Sequence, residues 1–128
     1  MALAVQKRVQ APLLPELDAL FRAFADPTRL RILNILVAGE MCVCDLVEIL
    51  ELPQPTVSRH LAYLRSAALV AVTRDSNFAH YRLSDPTNHI HQNLINCVRG
   101  CFVGIKQLDS ERRRAIARLA EREDDPCR

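Results

Sequence analysis

Leu14, Leu17, Leu20, Phe21 and Phe24 recur at helical spacing, and the Asp26-Pro27 step ends that run. Proline is tolerated in a helix's first turn. Pro27 therefore opens a second helix, with Leu30, Leu33, Leu36 and Val37 on its buried face and Gly39 as its stop. A third helix is expected from Asp45, because Asp45-Leu-Val-Glu48 has the capping-box pattern ahead of the apolar positions Leu46, Ile49 and Leu50. That start leaves Cys42 and Cys44 just upstream. After the breaker Leu52-Pro53-Gln54, Pro55 and the stripe Val57, Leu61, Leu64 and Ala68 predict a fourth helix. In LVAVTRDSNFAHYRLS the period changes: Val70 and Val72 alternate, Asp75-Ser76-Asn77 has turn chemistry, and Tyr81 and Leu83 alternate again. Asp85-Pro86 then precedes a fifth helix with Leu94, Cys97, Cys101, Ile105 and Leu108 on one face. The last stretch, SERRRAIARLAEREDDPCR, reads as a charged helix fraying into a tail.

A short helix, a tight turn, a second helix with a polar outer face and then a hairpin is the order of a winged helix-turn-helix. The expected class is mainly α with a small two-stranded β wing. Its DNA-binding and dimerisation domain spans residues 14–109, between a flexible arm at 1–13 and a charged helix and tail at 110–128. A chain of 128 residues can bury its core without a metal or disulfide, so the cysteines are available for another task. The end helices nevertheless carry spare apolar faces. These predict a homodimer through the first and fifth helices. No apolar run is long enough to cross a bilayer, and Lys7 and Arg8 follow the short apolar stretch at the amino end, so neither a membrane segment nor a secretory signal is expected. In the cytoplasm, where the protein is accordingly placed, thiols stay reduced. A close cysteine pair there suits metal binding or catalysis better than a structural bridge.

Charge is unevenly spread. Residues 54–82 hold Arg59, Arg65, Arg74 and Arg82 against Asp75 alone, a local basic patch of the kind that meets a phosphate backbone. At 100° per residue, the fourth helix turns Thr56, Arg59, Tyr63 and Ser66 away from its apolar stripe, with Ser58 and His60 on the flanks. Arginine can read guanine bidentately, and serine and threonine take phosphates or base edges. The wing adds Arg74, Asn77, His80 and Arg82 for backbone or minor-groove contact.

The runs MCVCDLVEIL, LPQPTVSRHLAYLRSAALV and HYRLS resemble the ArsR/SmtB family of metal-responsive winged-helix repressors, and within it the arsenic-repressor branch, over residues 16–108. The resemblance implies a non-enzymatic homodimer that sits on an inverted-repeat operator in double-stranded DNA. It implies release when arsenite, As(III), or antimonite, Sb(III), binds cysteine thiolates, and it places Gln54, Thr56, Ser58, Arg59 and His60 at the start of the recognition helix.

Within a helix, residues two apart point about 200° from one another, so Cys42 and Cys44 can share an ion only if they lie upstream of the third helix. A helix amino terminus also favours the thiolate that soft ions need. The alternative is two small buried hydrophobes. Some members of the arsenic branch have a third cysteine where this chain has Val47. The third ligand is then a small thiol, a hydroxide, or one of Cys97, Cys101 and Cys127. Cys97 and Cys101 lie four apart and can clamp an ion, but they also fit the dimer stripe as core residues, and Cys127 stands in the charged tail as a bystander. Asp85, His89 and His91 invite comparison with zinc-binding relatives, yet Gly100 and Val103 stand where the later ligands would be needed. Other readings are a repressor of the same fold that senses cadmium, lead or a thiol oxidant, a thiol-redox enzyme, and a protein-interaction module. The redox enzyme would want Cys-x-x-Cys in a βαβ setting, and neither is present.

Overall fold

In the computed structural model, which describes residues 11–75 and 77–124, the elements run α1 (Leu14–Phe24), α2 (Pro27–Leu36), β1 (Met41–Cys42), α3 (Val43–Leu50), α4 (Gln54–Ser66), β2 (Val70–Asp75), β3 (Phe78–Leu83), α5 (His89–Gly100) and α6 (Lys106–Asp124). Most of the expected arm (1–10), Ser76 of the turn and Cys127 lie outside the described residues.

The helix starts follow local chemistry. Asp26 caps α2 by accepting the Arg29 amide at 3.0 Å, with Pro27 in the first turn, and Asn88 caps α5 through the His91 amide at 2.9 Å. Helix α2 is the centre of the molecule. Ile32, Leu33, Asn34, Ile35 and Leu36 are all buried, so neighbours cover it on more than the one face that its leucine spacing predicts. Leu46, Ile49 and Leu50 of α3 and Val57, Leu61 and Leu64 of α4 join the same core. Burying one such side chain contributes about 1.5–3 kcal/mol. On α1 only Leu20 and Ala23 are buried, whereas Leu14 and Phe21 stay 76% and 51% exposed.

The hairpin is present, β2 against β3 in antiparallel register from Val70↔Leu83 to Asp75↔Phe78. It is not alone. Met41 and Cys42 pair with Tyr81 and His80, giving a three-stranded sheet in the order β1-β3-β2 instead of the two-stranded wing expected. Two residues between a glycine and a helix carry too little pattern to announce a strand.

The carboxyl-terminal third departs further from expectation. The fifth helix stops at Gly100, and the chain breaks over 101–105, where Gly104 takes φ +95°. The buried face of α5 is His91, Ile95 and Val98, while Cys97 and Cys101 are exposed and so are not core residues of the chain. The spacing of Cys97, Cys101, Ile105 and Leu108 had carried one helix across what is a turn. Position 109/110 lies inside α6, a helix that packs along α2 and α3. Its anchors are polar. Arg31 Nη2 meets the buried Glu111 carboxylate at 2.6 Å, and Arg112 donates to Asn34 Oδ1 at 2.5 Å and to the Val98 carbonyl at 2.9 Å. Leu119 fills the space over Gly39, whose φ is +153°, and a Cβ there would stand 2.8 Å from Leu119 Cδ1.

Candidate metal centre and nucleic-acid interface

Helix α4 begins at Gln54 with Pro55 in its first turn and turns Val57, Leu61 and Leu64 inward. Gln54, Ser58, Arg59 and Tyr63 are exposed and Thr56 is half-buried, which leaves them along the outer side of the helix. His60 and Tyr63 are not free side chains. Arg29, from the first turn of α2, lies 3.9 Å from the Tyr63 ring centroid and 3.4 Å from His60 Nδ1, and it donates to the Ala23 and Arg22 carbonyls at 3.0 and 2.9 Å. The same imidazole stands 3.8 Å from Asp26. Burial nevertheless wins over that carboxylate and pushes the His60 pKa down, with Arg29 and Arg59 acting in the same direction. Arg29 therefore fixes the outer face of α4 to α2.

In the wing, Arg74 and Asn77 are exposed near the tip, and exposed Arg82 donates to Thr73 Oγ1 at 2.8 Å. His80 sits on the central strand between Thr73 and Cys42. That half-buried place removes it from the tip and ties it to the cysteine strand.

The third helix starts two residues earlier than its sequence suggests. Cys42 is the residue before the first turn, with extended backbone (φ −80°, ψ 163°), and α3 runs from Val43, so Asp45 is not its cap. The expected capping box at Asp45 and Glu48 is absent. Cys42 ends a strand and Cys44 lies in the first helical turn, so the sulfurs converge by straddling the helix start rather than by both lying upstream. They are in disulfide contact with Cα atoms 5.4 Å apart, and Cys42 Sγ lies 3.3 Å from Asp45 Oδ2. Cys42 and Asp45 are each 1% exposed, whereas Cys44 is open to solvent.

The buried Asp45 carboxylate is held from α6. Arg118 Nε donates to Oδ1 at 2.7 Å and Arg122 Nη1 to Oδ2 at 3.2 Å, while Arg118 also pairs with Glu48 and Arg122 reaches the Glu40 carbonyl at 3.1 Å. The Asp45 hydrogen bond raises the pKa of Arg118. These two arginines are the site residues that sequence reasoning missed. The available signal is their spacing of four on one face of what reads as a charged helix fraying into a tail.

Among the described residues, Cys42, Cys44 and Asp45 form the group able to hold an ion, with donor atoms all within 4.8 Å. Cys97 and Cys101 are outside it. They lie at the exposed end of α5, where their mutual hydrogen bond raises the Cys97 thiol pKa, so this chain does not bring either to Cys42 as a third ligand. Val47 packs against the core. His91 is also excluded, buried at 1% exposure with Nδ1 accepting from the Thr87 amide at 3.2 Å.

The helix pair α3-α4 followed by the β2-β3 wing defines the class: a winged-helix, DNA-binding transcriptional regulator. Residues 26–72 match the model of the bacterial regulatory protein, arsR family. The chain is 39% identical over 80 residues to the arsenical resistance operon repressor of Staphylococcus xylosus, covering 62% of this chain and 77% of that one. Reduced HlyU from Vibrio cholerae superposes with a TM-score of 0.61 at 30% identity, over 70% of this chain and 90% of that one. A homodimeric winged helix-turn-helix DNA-binding domain from Mycobacterium bovis gives 0.58 at 27% identity, over 67% and 77%. The protein belongs to the ArsR/SmtB family of transcriptional repressors. No helix among the described residues is long and apolar enough to cross a membrane.

Proposed function

We propose that this repressor binds an inverted-repeat operator as a homodimer and is released when arsenite or antimonite is taken by the thiolates of Cys42 and Cys44. The observation that carries the reading is the convergence of the two sulfurs at the first turn of α3, the helix packed against α4. Soft thiolate donors select thiophilic ions, and the likeness to an arsenical resistance operon repressor favours arsenite among them. On this reading α4 supplies Gln54, Thr56, Ser58 and Arg59 to the major groove, with Arg74, Asn77 and Arg82 on the flanking backbone. The exposed Leu14 and Phe21 of α1 supply apolar surface for a second copy, in keeping with the homodimeric M. bovis domain.

The ion has two physical routes to the DNA-reading surface. An S–ion–S bridge fixes the backbone from Cys42 to Cys44, and that backbone continues into α3 under α4 on one side and is laddered through His80 to the wing on the other. Release needs only that the ion bind the off-DNA form more tightly, by about 1.4 kcal/mol per tenfold loss of operator affinity.

The experiment is a gel shift on the DNA upstream of the gene, with wild type, Cys42→Ser and Cys44→Ser, under reducing conditions. Each variant should bind as wild type does and remain bound at arsenite concentrations that empty the wild type. A single variant that still releases normally would sink the site assignment. Parallel titrations with cadmium, lead and hydrogen peroxide identify the signal if arsenite has no effect on the wild type.

A further inference from the structure

We infer that α6 is the brace against which the bound ion works: its arginines anchor the start of α3 to the body formed by α2 and α5, and that anchor turns ion binding at Cys42 and Cys44 into a movement of α3 and α4. This rests on the proposed thiolate site and adds how its occupation is converted into release.

The first half of α6 is fixed to that body. Glu111, 1% exposed, pairs with Arg31 of α2. Asn34 of α2 accepts from Arg112 Nη2 at 2.5 Å, and its own amide donates to the Leu108 carbonyl at 2.9 Å. Arg112 also donates to the Val98 and Arg99 carbonyls in the last turn of α5, at 2.9 and 3.1 Å. About 9 Å further along the helix, the second half holds the sensor. Arg118 Nε donates to Asp45 Oδ1 at 2.7 Å, and Arg122 Nη1 donates to Asp45 Oδ2 at 3.2 Å and to the Glu40 carbonyl at 3.1 Å. Asp45 is 1% exposed. A carboxylate buried to that degree keeps its counter-charges, because an unpaired buried charge is strongly destabilising. An S–ion–S bridge redraws the backbone between Cys42 and Cys44, immediately before Asp45. With the carboxylate pinned to α6, and α6 pinned to α2 and α5, the change goes into the pose of α3, and α4 packs on α3. In a two-fold repressor the spacing of the recognition helices depends on how each sits on the dimer body, and it must match the half-sites. Turning α3 and α4 on α5 therefore lowers operator affinity from both copies at once.

The test loosens the brace between its two anchors. Ile116 and Ala117 lie there and are exposed, and two glycines make that turn of helix flexible. The parent is the full-length dithiol protein with Cys97, Cys101 and Cys127 replaced by serine. In Ile116→Gly/Ala117→Gly, operator affinity without ion and the arsenic retained per chain after desalting should both stay within about twofold of the parent, while the loss of operator affinity at saturating arsenite should shrink about tenfold or more. Hydrogen exchange gives an independent reading: arsenite should alter exchange in α4 of the parent, but in α6 beyond residue 117 of the glycine variant. Ile116→Ala, which trims the same side chain and keeps the helix, should behave as the parent does. Ala117→Gly alone replaces the double variant if that unfolds. Release of the glycine variant equal to the parent's overturns the inference, as does loss of release in Ile116→Ala. Arsenic retention falling together with release overturns it too, since α6 would then only support the cysteines. A parent that retains no arsenic, or is not released by it, overturns the thiolate site itself and the brace with it.

Discussion

The Arg29 guanidinium lies 3.9 Å from the centroid of the Tyr63 ring, joining the first turn of α2 to the outer face of α4. The same group bonds to two carbonyls at the end of α1, so one side chain holds three helices. Arg29→Met keeps the stem and loses the charge. It should lower stability by about 1–2 kcal/mol in urea unfolding. Tyr63→Phe keeps the ring and should change stability by less than about 0.5 kcal/mol.

Arg59 is exposed on α4, whereas His60 is turned towards Asp26 and Arg29. Arg59→Ala should therefore weaken operator binding by about 1–3 kcal/mol per half-site with stability unchanged. His60→Ala should show the opposite balance, with a lower urea midpoint and little loss of discrimination between operator and unrelated DNA. Gel shifts over a range of salt, with unfolding of the same preparations, separate the two.

Arg31 and Glu111 form a pair with side chains 19% and 2% exposed. Removing one partner strands the other. Arg31→Met should cost about 3–5 kcal/mol, and adding Glu111→Gln should return a large part of it. A double-mutant cycle in denaturant that gave additive losses would contradict the pairing.

Desolvation pushes the His60 and His91 imidazoles below their ordinary pKa of 6.5. A histidine depressed in the folded state contributes stability that is fully present above pH 6.5 and is lost as pH falls through its folded value. The wild-type urea midpoint should thus be flat above about pH 7 and decline in acid. In His91→Leu, which removes a buried imidazole whose Nε2 has no hydrogen-bond partner among the described residues, the decline should be shallower.

Cys97 and Cys101 are exposed, so replacing both with serine should change chain stability by less than about 0.5 kcal/mol. Release by arsenite should be unaffected. Calorimetry and the operator gel shift check the two statements.

The helix-turn-helix and wing were legible because their signals are local: proline in the first turns, the Val57, Leu61, Leu64 stripe, and strand alternation about a turn. The cysteine pair was legible for the same reason. What was not legible depends on partners far away in sequence. Asp45 looked like a cap because the pattern Asp-x-x-Glu is the same whether the aspartate starts the helix or is buried in its first turn; only Arg118 and Arg122 distinguish the cases. The sequence shows α6 as a charged helix but not that it docks, because its docking face contains Glu111, Arg112 and Arg118. Charge buried by pairing is indistinguishable from exposed charge until the partner is known. Equally, the i, i+4 run from Cys97 to Leu108 outweighed Gly100 and Gly104, which mark the break.

The arginines that neutralise Asp45 lie 73 and 77 residues later in the chain. On a ribosome adding about 5–20 residues per second, roughly 4–15 seconds separate synthesis of the carboxylate from synthesis of its counter-charges. Throughout that interval α3 and α4 can form, yet Asp45 must stay in water, because burying it alone is too costly. The nascent chain thus holds the α3–α4 pair before it can bury Asp45, and the order of translation makes closure over the Cys42, Cys44 and Asp45 group one of the last steps of folding.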